Sequence, residues 1–71
     1  MAEGSVYKTT TLIGTSTTGF DDAVTRAVTR AQKTLRGVQW FEVMEQRGRI
    51  RDGGIEYQVK VDVSFTLENP K

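Results

Sequence analysis

Few residues in this chain are able to do chemistry. It has 71 residues, none of them histidine or cysteine, so the commonest general base, the thiol nucleophile and the usual nitrogen and sulfur metal ligands are all missing. Its nine acidic residues are scattered without a recognisable acid–base pairing, and a metal would have to be held by carboxylates alone. No catalytic set and no metal set is expected. The remaining candidates are planar and polar groups. Trp40, the single tryptophan, stands next to Phe41, and neighbours in a strand point to opposite faces. If Phe41 and Val43 form a core pair, Trp40 lies on the other face with Glu42 and Met44. There it is either a hydrophobic anchor at a subunit interface or a stacking platform for a flat ligand. Gln58 has the parity to share that face, and an amide with donors and acceptors suits the edge of a heteroaromatic ring; it reads equally as a polar surface residue. Arg47, Arg49 and Arg51 alternate. They form a charged edge that discourages strand-to-strand aggregation, or a clamp for phosphate built from guanidinium forks.

The elements that must position these residues are dominated by residues 55–67, in which every odd position is apolar and every even position polar. Period two marks a strand with one buried and one polar face. At about 3.3 Å per residue it would run roughly 43 Å, well beyond the roughly 17–20 Å of a typical strand. Residues 6–13 are mostly β-branched or aromatic and read as strand one. Residues 14–19, Gly-Thr-Ser-Thr-Thr-Gly, read as a loop into a helix. They lack the Lys and the spacing of a P-loop, so helix capping, with Asp21 and Asp22 at the positive end of the dipole, is preferred over a phosphate cradle. Residues 20–36 carry apolar side chains at 20, 23, 24, 27, 28, 31 and 35, an amphipathic helix with several alanines on its apolar stripe and Gly37 just past its end. At about 1.5 Å per residue it spans roughly 25 Å, little more than half of the last strand. Strand two is Val38–Arg51, with a bulge or close backbone approach expected at Gly48 and a turn at Asp52-Gly53-Gly54. The all-antiparallel arrangement puts the last strand in the middle and the helix on its odd face. Residues 1–5 read as a frayed terminus, and Asn69-Pro70-Lys71 as the end of the sheet.

The whole is expected to be one α+β domain over residues 1–71. A domain this small buries only about 60% of its unfolded surface, and without disulfide or metal its remaining staple is oligomerisation. Phe65 and Leu67, near the end of the uncovered strand, are expected to be buried by neighbouring subunits. A net charge of +1 gives no chain-wide nucleic-acid footprint, and no apolar run is long enough for a membrane span. A cytoplasmic protein is expected, with no membrane partner.

Taken together, Gly14-Thr15-Ser16, the helix, Val38-Gln39-Trp40-Phe41-Glu42-Val43, Arg47-Gly48 and Glu56-Tyr57-Gln58-Val59-Lys60-Val61 resemble the dodecin family over nearly the whole chain. The resemblance implies a β-α-β-β subunit, its three-stranded antiparallel sheet wrapped around one helix, assembling into a hollow homo-dodecamer that binds flavin without turnover. It implies that Trp40 stacks on the isoalloxazine ring between symmetry-related subunits, that Gln58 hydrogen-bonds the ring edge, and that Arg47 contacts a phosphorylated cofactor, favouring FMN over riboflavin. Some bacterial members also carry coenzyme A, but Thr66 stands where certain of them have an arginine, and Gly19 where relatives often have serine. The expected function is flavin binding, storage and sequestration. The alternative from another class is a nucleic-acid-binding β-ribbon using Arg47, Arg49 and Arg51.

Overall fold

The computed structural model describes residues 4–67. The expectations for the first three residues and for Asn69-Pro70-Lys71 lie outside them. The elements are β1 (Tyr7–Ser16), α1 (Phe20–Thr34), β2 (Val38–Arg51) and β3 (Gly54–Thr66). The sheet order is β1-β3-β2, both pairings antiparallel, so the strand with the strictest alternation is the central one, as the sequence predicts. Val59, Val61 and Val63 on its odd face are fully buried against Ala23, Ala27 and Ala31 of α1. Alanines every fourth residue form one smooth helix stripe, which lets α1 lie close on the sheet.

That closeness corrects the reading of residues 14–16 as loop. They continue β1, and Gly14 lies beneath α1, where an added Cβ would stand 2.2 Å from the Ala23 carbonyl oxygen. The residue is glycine because the helix backbone occupies the side-chain space. Capping is displaced in turn. Gly19, at the N-cap, offers no side chain; the Ser16 hydroxyl accepts from the Thr18 N–H at 2.9 Å and donates to Asp22 Oδ2 at 2.7 Å. Arg26 holds the same carboxylate oxygen at 2.7 Å. The hydrogen bond from Arg26, and after it that from Ser16, holds the Asp22 carboxyl below its ordinary 3.8. At the other end α1 stops two residues before the predicted Arg36. Leu35 is extended, its N–H still reaching the Ala31 carbonyl at 2.8 Å, and its side chain packs on the core. Gly37 takes a positive φ of 71°, and its carbonyl accepts the Thr66 N–H at 3.0 Å.

The β2–β3 hairpin turns on Asp52 and Gly53, both at positive φ (49° and 75°), as a two-residue type I′ turn requires. Gly54, expected in the turn, already pairs with Arg51. The irregularities of β2 fall elsewhere than expected. Gly48 pairs regularly with Tyr57, and the register shifts lie between Val38 and Trp40 and between Val43 and Glu45. Phe41 and Val43 lie opposite Val63 and Val61, on the helix side of the sheet. They are nevertheless 46% and 40% exposed, because α1 packs mainly over β1 and β3. The expected core pair is on the right face and is left uncovered by its own helix.

Candidate functional site

The candidate residues lie on the face of the sheet turned away from α1, and the second bulge is what gathers them there. Under strict alternation Arg47 would point to the opposite side from Trp40. The extra residue, Met44, resets the phase, so that Trp40, Glu42, Glu45, Arg47, Arg49 and Arg51 are all opposite even-numbered residues of β3. The pairing of Trp40 with Glu42 on one face holds, whereas Met44 leaves it for the bulge. From β1, the same face takes Tyr7, Thr9, Thr11, Ile13 and Thr15.

At one end, Arg47 lies directly across from Gln58. The Arg47 Nε–H donates to Gln58 Oε1 at 2.7 Å, and Gln58 Nε2 donates to Glu56 Oε1 at 3.0 Å. These two bonds fix which way the buried amide points, leaving it one N–H to give and one lone pair to accept with. The Arg47 bond uses only Nε, so the four N–H groups on its terminal nitrogens are not spent on Gln58. Glu56 also draws in Arg49 at 3.7 Å and Arg51 at 4.0 Å. The three arginines do share a face, but a carboxylate and an amide sit among them, so they are not a bare cationic stripe. In the middle of the face, Thr11 donates to Asp62 at 2.6 Å and Lys60 stands 3.9 Å from Glu45.

At the other end, Trp40 lies opposite Ser64 and is 50% exposed. The ring of Tyr7, across β3, lies against it, centroids 4.8 Å apart and planes inclined at 58°. From sequence Tyr7 is only one of the residues of strand one; the contact depends on the register of two strands that are not neighbours, for which the local sequence carries no signal. Trp40 and Gln58 share the face but not a site, because six residues of β3 separate their positions, roughly 20 Å at about 3.3 Å per residue. The depression beside Gln58, lined by Ile13, Glu45, Arg47 and Lys60, has a volume of about 140 Å³, below the roughly 300 Å³ at which small-molecule pockets begin. Within one subunit the candidate residues thus form two separate groups, one around Trp40 and one around Gln58. No helix among the described residues is long and apolar enough to cross a membrane.

The sequence profile of the Dodecin family matches residues 6–68. The dodecin of Thermus thermophilus is 52% identical over 66 residues, covering 92% of this chain and 96% of that protein. The calcium dodecin of Mycobacterium tuberculosis is 38% identical over 64 residues, covering 89% and 90%. A crystal structure from Thermus thermophilus, 50% identical, superposes with a TM-score of 0.87 and covers 94% of this chain and all of that one. The same strand–helix–strand–strand order, matched from β1 through β3 by profile, relatives and solved structure alike, makes this chain a member of the dodecin family, whose subunits assemble into dodecamers.

Proposed function

We propose that the protein binds and sequesters a flavin, FMN in preference to riboflavin, with the isoalloxazine ring stacked on Trp40 where subunits meet. The observation that carries this reading is the half-exposed indole on a polar face, separated from Gln58 by more than a flat tricyclic ring can bridge. Both residues reach one ligand only if a second subunit supplies the missing half, and a two-fold contact does this symmetrically. The chemistry fits. The donor and acceptor left to Gln58 by Arg47 and Glu56 match a ring edge that alternates carbonyl and N–H, and the terminal nitrogens of Arg47 suit a phosphate. Storage rather than turnover is supported by the lack of His and Cys and of a recognisable acid–base pairing among the nine acidic residues. Stacked indole can also quench an excited flavin by donating an electron, so sequestration would limit photochemistry. Thr66, half-buried with its N–H given to the Gly37 carbonyl, supplies no cation for a second nucleotide such as coenzyme A.

Titrating the assembled protein into micromolar FMN and following flavin fluorescence tests the proposal. Saturable quenching, weaker with riboflavin, is expected; unquenched FMN together with a colourless purified protein would sink it.

A further inference from the structure

We propose that Tyr7 is a positioning residue that holds the Trp40 indole in its binding orientation, a role that rests on the flavin reading for its purpose but not for its measurement. Tyr7 opens β1 and Trp40 lies in β2, with β3 between them. Strands two apart are separated by roughly 9.6 Å, yet the ring centroids are 4.8 Å apart, so the two side chains lean towards each other across the central strand. Of the two β3 positions between them, Thr66 opposite Tyr7 and Ser64 opposite Trp40, Ser64 is small, buried and bonded through its hydroxyl to Thr9 at 2.9 Å. A bulkier residue there would fill the space in which the rings meet.

The consequence follows from side-chain freedom. An exposed tryptophan at the end of a sheet hops between rotamers in picoseconds to nanoseconds, and a ligand that stacks on it must first stop that motion. A platform already held in place does not impose that cost on binding. Tyr7 occupies one side of the indole at a tilt of 58°, too steep for parallel stacking, so it restrains the ring while leaving another face for a ligand. Tyr7 itself is 43% exposed and faces away from the valine–alanine core, so its removal leaves the fold intact.

Trp40 is the only tryptophan, which makes its fluorescence a direct readout in the ligand-free particle. In Tyr7→Ala, time-resolved anisotropy should reveal nanosecond indole motion absent from the parent, and the Kd for FMN should rise about 3- to 10-fold, the range of a typical aromatic pair. Native mass should be unchanged, and Tyr7→Phe should restore both signals, because the ring and not the hydroxyl makes the contact. An unchanged anisotropy in Tyr7→Ala, a Tyr7→Phe as weak as Tyr7→Ala, or loss of the assembled particle would each overturn the assignment. Should the parent protein bind no FMN, the flavin reading fails, and the anisotropy of the free particle still decides whether Tyr7 restrains Trp40.

Discussion

At the scale of single residues, the proposed function assigns ligand recognition and folding to different side chains. Trp40 contributes exposed surface and little core, so Trp40→Ala should weaken FMN binding about 5- to 150-fold, by analogy with bases stacked on aromatics, without changing particle mass. Arg47 orients Gln58 through Nε, and in the proposed function its outer nitrogens would meet the phosphate of FMN. Arg47→Ala should therefore erase an FMN-over-riboflavin preference of about 10-fold or more, the size expected of a charge-assisted hydrogen bond. Paired titrations with the two ligands measure that ratio. An equal loss for both would assign Arg47 only to holding the amide.

At the scale of elements, the helix start and the β2 bulge position the candidate residues. Gly14→Ala drives a methyl group into the Ala23 carbonyl and should cost about 1–3 kcal/mol, as overpacking does, visible in denaturant unfolding. Because the Asp22 carboxyl is held below 3.8 when folded, its contribution is present above 3.8 and is lost as pH falls through the lower folded value. Stability should thus drop more steeply below pH 3.8 in the parent than in Asp22→Asn. Periodicity made α1, the odd face of β3 and the central place of β3 legible from the sequence, because Val59, Val61, Val63 and the alanine stripe obey one rule each. The close packing at Gly14 was not legible, since it depends on a helix six or more residues later. Nor were the bulges: Gln39 and Met44 bear no local mark, whereas Gly48, which does, pairs regularly. The face shared by Trp40 and Gln58 could be read by counting in twos; the arrival of Arg47 on it could not.

At the scale of the whole molecule, the subunit is elongated, 58 Å by 20 Å by 14 Å, with Phe41, Val43 and Ile55 about half exposed and Ile50 84% exposed. In a dodecamer, burial between subunits would give these apolar side chains the partners that α1 does not. Phe41→Asp places a charge on the face to be buried, and native mass spectrometry should report subunits or small fragments in place of the full particle. Flavin binding should disappear with it, as a site divided between subunits demands; Phe41→Asp monomers that bind FMN normally would show the site to be complete in one chain. A crystal structure of the assembled protein with FMN would show which subunits supply the site. The isoalloxazine should lie within about 3.5–4.0 Å of the Trp40 indole and be hydrogen-bonded by a Gln58 from a different subunit than that tryptophan. A flavin bound away from Trp40, or one held by Trp40 and Gln58 of the same chain, would contradict the proposed function.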